Sequence, residues 1–322
     1  MIDYLNILLD DNSASYCNYT VESTVSKLIP LDILKDGIKW SMKNNSMVQY
    51  IFPNAKLPQE YIDVIESIDN IKIMPATSPY VDYADVIVFD GIDSIVSKNF
   101  SPTTATILRT NKKELFEKYS LIQSVIPEVP RLNLVITDVY DFTEKDFELY
   151  KSVLEHFVDS VFSCYCNGTN VQLNCLTDRI FLKDMNNCGA GVSNITLAPN
   201  GCFYICPAFY QAAKASATVL EDTFAVGDVS NGLCIKNHQL YDKENAILCN
   251  MCDSYQCRRC VWLNRKQTLE VNTPGKEQCV ISHLERNASM ELLKKLHNKG
   301  LLLEIEKINN INYLDPFEII EL

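Results

Sequence analysis

The chain has no apolar run approaching the ~20 residues that a membrane-spanning helix needs, so no transmembrane segment is expected. Cationic residues are scarce: 29 Lys and Arg stand against 41 Asp and Glu, a net charge of -12. Such a chain is a poor general binder of nucleic acid or of an anionic membrane. Glycine is also scarce, with 10 in 322 residues, and the first half holds only Gly37 and Gly91, the latter in a turn position after a strand. A Gly-rich phosphate loop is therefore absent from that half. Of the 4 histidines, His156 stands alone as a helix-surface or packed residue, and His238 and His283 lie outside any paired ligand spacing. The opening Met1-Ile2-Asp3-Tyr4 carries no basic leader and no small-residue cleavage site, so a cytoplasmic protein is expected.

Against these absences, 13 cysteines are conspicuous, and all but Cys17 fall between Cys164 and Cys279. In a reducing compartment, clustered cysteines point to metal or redox chemistry rather than to disulfides. Length and cysteine placement predict two domains, residues 1–170 and 171–322.

The first domain alternates short apolar runs with helical patterns. Strands are predicted at Tyr4–Leu9, Met47–Phe52, Ile71–Met74, Asp85–Phe89, Thr106–Leu108 and Leu132–Ile136. Helices are predicted from near Pro58, over Lys112–Val125, and from a Thr143 N-cap to about Val158. That alternation argues for an α/β layer with a mainly parallel sheet, open or barrel-like. Further on, Cys164 and Cys166 would share a face if they lie on a strand, and Ser289 is placed to cap a helix that stops before Gly300. The tail, Leu301 to Leu322, is apolar and acidic.

The second domain carries the pattern C-x12-G-x4-C, a gap of 42 residues, C-x2-C-x4-C-x2-C, a gap, and C, formed by Cys188, Gly201, Cys206, Cys249, Cys252, Cys257, Cys260 and Cys279. Two close CxxC pairs supply four thiolates, enough for tetrahedral zinc or one 4Fe–4S cluster. Gly201 in Pro199-Asn200-Gly201 is a turn residue that can reverse a hairpin bringing Cys206 back toward Cys188. A compact zinc knuckle on Cys249, Cys252, Cys257 and Cys260 leaves Cys188, Cys206 and Cys279 unexplained. Arg258 and Arg259 either offset the negative charge of a cluster or are solvated, and Trp262 reads as core.

This cysteine pattern resembles the SPASM domain, the C-terminal extension of radical SAM enzymes that modify peptides. The usual central C-x5-C-x3-C is here C-x4-C-x2-C. Ala198 to Pro207 is similar to the family's hairpin, and Val226-Gly227-Asp228-Val229 to the glycine segment after it. The string from Cys257 to Asn264, with Cys279 and His283-Leu284-Glu285-Arg286, resembles maturases of CXXX-repeat peptides. The resemblance covers roughly residues 175–295. It implies that Cys188, Cys206 and Cys260 bind one auxiliary 4Fe–4S cluster, with Cys202 or Cys234 as a possible fourth ligand or an open iron. It implies that Cys249, Cys252, Cys257 and Cys279 bind the other. A single cluster or a zinc ion on the central four cysteines is the alternative.

A radical SAM enzyme also needs a CX3CX2C loop after its first strand. Laid over this chain, the three positions read Asp10, Ala14 and Cys17, and the segment Phe52 to Leu57 carries no carboxylate where the family has GGE. The fold implied is α/β: a degenerate, partial (β/α) barrel-like N-terminal domain, then a small SPASM-like metal-binding domain. S-adenosylmethionine (SAM) binding is not expected. The resemblance implies maturation of a ribosomally made peptide, with a precursor peptide and an active radical SAM maturase subunit as partners. A non-catalytic zinc-binding interaction module and an independent Fe–S electron carrier are the other readings.

Overall fold

The computed structural model describes residues 1–21, 26–96, 98–185, 187–215 and 224–301. In chain order these form β1 (Tyr4–Leu8), α1 (Leu31–Asn44), β2 (Met47–Ile51), α2 (Gln59–Ile65), β3 (Asn70–Pro75) and β4 (Val86–Asp90). Next come β5 (Ala105–Thr110), α3 (Lys112–Val125), β6 (Arg131–Ile136), α4 (Glu144–Cys166), β7 (Gln172–Leu173) and α5 (Thr177–Phe181). The cysteine-rich part contributes β8 (Asn194–Leu197), β9 (Cys202–Tyr204), α6 (Pro207–Ala215), β10 (Ala225–Asp228), β11 (Gly232–Leu233), α7 (Val261–Thr268) and α8 (Lys276–Asn298).

The chain forms two compact, interleaved units: Met1–Phe89 with Cys188–Ala246, and Asp90–Asn187 with Ile247–Leu322. The division expected at residues 170 and 171 falls inside the second unit.

In the first unit the strand order is β11-β10-β9-β8-β1-β2-β3-β4. From β8 to β4 all neighbours are parallel, and β8 to β11 form an antiparallel extension. Short runs such as Leu5 to Leu8 are buried on both faces, as parallel strands covered by helices must be. Gly37 lets α1 lie close on the sheet, since a Cβ there would come within 2.4 Å of a Leu197 methyl. The β8–β9 hairpin turns at Gly201, whose φ of +82° suits glycine. Phe203 of that hairpin is fully buried, with its ring 5.0 Å from that of Trp40.

The second unit contains the parallel trio β5-β6-β7 and the long helices α4 and α8. The Thr143 N–H donates to the Asp146 carboxylate at the start of α4, a capping-box contact. The helix runs past the expected Val158 because Val161 and Cys164 continue its buried face. Cys164 and Cys166 are therefore in its last turn and not on a strand. Residues two apart on a helix point to nearly opposite sides, and Cys164 is buried while Cys166 is exposed. Ser289 likewise caps nothing: it lies fully buried inside α8 and donates its hydroxyl to the Glu285 carbonyl. The helix nevertheless stops at Asn298, before Gly300. Of the expected tail, residues 302–322 lie outside the described residues. Among the described residues no helix is long and apolar enough to cross a membrane.

Candidate functional site

The cysteines divide between the two units. Cys17, Cys188, Cys202, Cys206 and Cys234 belong to the first, and Cys164, Cys166, Cys175, Cys249, Cys252, Cys257, Cys260 and Cys279 to the second. The expected set Cys249, Cys252, Cys257 and Cys279 thus lies in one unit. Cys188 and Cys206 lie in the other unit from Cys260. Among the described residues no three His, Cys, Asp or Glu side chains are gathered for a metal ion.

The loop from Cys249 to Cys260 is held by charge rather than by secondary structure. Asp253, next to Cys252, is buried and accepts hydrogen bonds from Arg286 of α8, Nη2 to Oδ2 at 2.7 Å, and from Arg179 of α5 at 3.1 Å. Burial opposes its ionisation, but Arg286 and then Arg179 outweigh that and hold the carboxyl below the usual range. The Arg179 guanidinium also lies 4.3 Å from the centre of the Tyr255 ring. Arg258 reaches β6, donating to Asn133 Oδ1 at 3.0 Å, and Arg131 donates to the same oxygen.

Arg259 is not a solvated charge: it is 2% exposed. Its backbone is left-handed, φ +37°, and its N–H donates to Cys257 Sγ at 3.4 Å. Its side chain hydrogen-bonds the Cys249 thiol. Burial pushes that thiol up, Arg259 pulls it down, and Cys252 adds to the rise. Burial also drives Cys257 up to about 12, against hydrogen bonds from the Ser282 hydroxyl and the Arg259 N–H, with Cys252 and Cys249 reinforcing the rise. Ser282 stands nearly one helical turn after Cys279 in α8, so the face of α8 that carries Cys279 meets Cys257. The chemistry fits a metal or cluster. Buried, mutually repelling thiols lose their protons when a cation replaces them, and a buried arginine and an N–H···S contact favour the resulting negative charge.

Beside this loop lies a carboxyl that no sequence spacing marks. Glu285 accepts a hydrogen bond from the Tyr150 hydroxyl at 2.8 Å. Burial raises it from 4.5 to about 7, against hydrogen bonds from Tyr150 and Gln256 and the charge of Arg258. Burial, with Glu285 and Asp178 adding, keeps Cys175 well above the usual thiol range, which suits a packed, neutral side chain.

In the first unit the loop after β1 is held by the protein's own hydrogen bonds. Asp10 is fully buried and accepts from the Asn12 N–H and the Ser26 hydroxyl, both at 2.7 Å. The Ala14 N–H donates to the Phe52 carbonyl at 2.9 Å. Tyr16 is pushed well above the usual phenol range by burial, then by Tyr19 and the thiols of Cys17, Cys206 and Cys188. Those three thiols therefore lie within electrostatic reach of one hydroxyl. Cys17 is legible in the sequence only as the last position of the β1 loop, since nothing in the spacing joins it to residues so far along the chain. His156 stacks on Tyr119 at 5.0 Å, His238 is exposed, and Trp262 is half-buried on α7.

No known family pattern matches this chain, and no curated protein does. Solved structures do. The chain is similar to native anSMEcpe with bound AdoMet and the Cp18Cys peptide, at TM-score 0.58 and 11% identity, over 92% of this chain and 100% of that one. The structure with the Kp18Cys peptide gives 0.56 and 10%, over 92% and 99%. The hexahistidine-tagged form with AdoMet gives 0.58 and 11%, over 92% and 99%. At such identity the likeness establishes the fold alone, an α/β fold like that of anSMEcpe.

Removing one partner of a buried ion pair costs on the order of 3–5 kcal/mol. Asp253→Asn is therefore expected to lower stability by that order in urea unfolding at neutral pH. Because the carboxyl is depressed, its contribution is present above the unfolded value near 3.8 and is lost as pH falls through the folded value. The gap between wild type and variant should close as pH falls through that folded value, and a gap that persists in strong acid contradicts the assignment. Glu285 has the opposite sign. Its raised value makes ionisation cost stability between 4.5 and about 7. Glu285→Gln should flatten the fall in wild-type stability across that window, measured by urea midpoints in a pH series.

Proposed function

We propose that the chain acts in maturation of a ribosomally made peptide as an iron–sulfur-carrying partner of an active radical SAM maturase. It would bind the precursor peptide, relay electrons, or both. One observation carries the reading: a fold like that of peptide-bound anSMEcpe is combined with a β1 loop whose three cluster positions are Asp10, Ala14 and Cys17. Alanine offers no donor atom, and the Asp10 carboxylate is engaged by Asn12 and Ser26. On this reading the chain does not carry out SAM chemistry by itself.

In the second unit, Cys249, Cys252, Cys257 and Cys279 are the proposed ligands of one 4Fe–4S cluster, which when bound supplies one-electron transfer. Asp253 holds the loop to α5 and α8, and Arg259 steadies two of the sulfurs. Cys188 and Cys206 are proposed ligands of the other site. Cys202, Cys234 and Cys260 remain candidates for it. Cys17 joins them because its thiol acts on the same Tyr16 hydroxyl as those of Cys188 and Cys206.

A second reading is favoured by the compact C-x2-C-x4-C-x2-C run, all within one unit: a zinc site in a non-catalytic interaction module. Metal and acid-labile sulfide after anaerobic purification separate the two. The proposal expects about eight iron and eight sulfide per chain, or about four if one site is lost. It also expects co-purification with a radical SAM protein. One zinc without sulfide would overturn the redox role.

A further inference from the structure

A small polar cavity of about 120 Å³ opens in the first unit, among the loop after β1, the β8–β9 turn and α6. That is about four waters' share of liquid volume. It is room for one anionic group and too little for a whole nucleotide or peptide.

The frame is built outward from the β1 loop. Residues 27–29 run antiparallel to residues 9–11, with the Asp11 N–H donating to the Lys27 carbonyl at 3.1 Å and the Ile29 N–H to the Leu9 carbonyl at 2.9 Å. Tyr210 and Lys214 stand at i and i+4 on α6, so their side chains share a face. The Tyr210 hydroxyl donates to one oxygen of the Asp11 carboxylate, and the Lys214 ammonium pairs with the other. The Gln211 amide donates to the Asp11 carbonyl at 3.1 Å. On the β8–β9 turn the Asn200 amide donates to the Tyr204 hydroxyl at 2.8 Å. Asp11, Tyr204 and Tyr210 are buried and form the floor.

The cations are the part of the lining that a ligand can reach. Lys27 is exposed at the rim and makes no ion pair among the described residues. The Lys214 side chain is 24% exposed, and an ammonium presents three N–H donors. Two ammoniums thus stand against the one carboxylate of Asp11 in the lining. Asp10 lies outside the lining, fully buried and held by the Asn12 N–H and the Ser26 hydroxyl. On a chain of net charge -12 this local surplus of positive charge repels a cation and attracts an anion.

We propose that this cavity binds one small oxyanion, a phosphate or carboxylate group, between the Lys27 and Lys214 ammoniums. Asp11 holds Lys214 in place, so part of the ordering cost is met before the anion arrives. Lys27 supplies the charge that the Asp11 pair leaves unbalanced. The assignment goes beyond the role proposed above and needs no metal.

The test uses the full-length protein at pH 7 and constant ionic strength, with chloride replaced stepwise by inorganic phosphate or by acetate. An anion at about ten times its Kd should raise the melting temperature by roughly 2 °C in a chain of this size. Lys27→Gln should weaken the binding read from that series at least ~10-fold, about 1.4 kcal/mol. Its melting temperature in chloride should match wild type, because the residue is exposed. Lys27→Arg should restore the response. Lys214 is left intact, since its loss would strand the buried Asp11 carboxylate. Acylation by an N-hydroxysuccinimide ester, read by mass spectrometry, should slow at Lys27 at least ~3-fold in the bound state. It should be unchanged at Lys35, exposed on α1 of the same unit. A response to phosphate alone assigns a phosphate group and a response to acetate a carboxylate, and either supports the site. No rise over chloride with either anion, a rise without protection of Lys27, or an equal rise in Lys27→Gln would overturn the proposal.

Discussion

Asp253 is one buried carboxylate between two buried guanidiniums, and it is the strongest anchor of the cysteine loop. From Cys249 to Cys260 the chain has no regular helix or strand to fix it. Its position comes from Arg179 on α5 and Arg286 on α8, with Arg258 adding a tie to β6 through Asn133. A buried ion group of this kind is costly to assemble and costlier to break. That is why it can fix a loop that has no helix or strand of its own.

The thiols next to it face an electrostatic constraint. Cys249 and Cys257 are driven up by burial and by neighbouring thiols, so without a cation they are held as neutral thiols. Arg259 works against this, reaching one sulfur with its side chain and another with its backbone N–H. Its left-handed backbone is the local cost of that double contact. The same logic explains Cys175, which has burial, Glu285 and Asp178 raising it, against a backbone hydrogen bond and the charge of Arg131.

Much of the fold is legible in the sequence because it is local. Lys112–Val125 is a helix as its periodicity predicts, and the six predicted strands of the first half all form. The pairing of β8 with β1 is not legible, since a four-residue strand more than 180 residues away carries no local mark of its partner. That pairing is what interleaves the units and takes the boundary away from residue 170. The differences in the helices share one cause. The immediate neighbours of Cys164 and Ser289 suggest a strand and a cap, while α4 and α8 are extended by a buried face that only tertiary packing completes. The cysteine spacing points to metal chemistry, but Asp253, Glu285 and Tyr16 gain their roles from partners distant in sequence.

The proposed function pairs a fold like that of anSMEcpe with a β1 loop that reads Asp10, Ala14 and Cys17 at the three cluster positions. The most direct measurement is formation of 5′-deoxyadenosine by the anaerobically purified, reduced chain supplied with SAM, alone and with an active radical SAM maturase present. The account predicts none from the chain alone, although it carries iron and sulfide. Steady formation by the chain alone, abolished by Cys17→Ala, would contradict it.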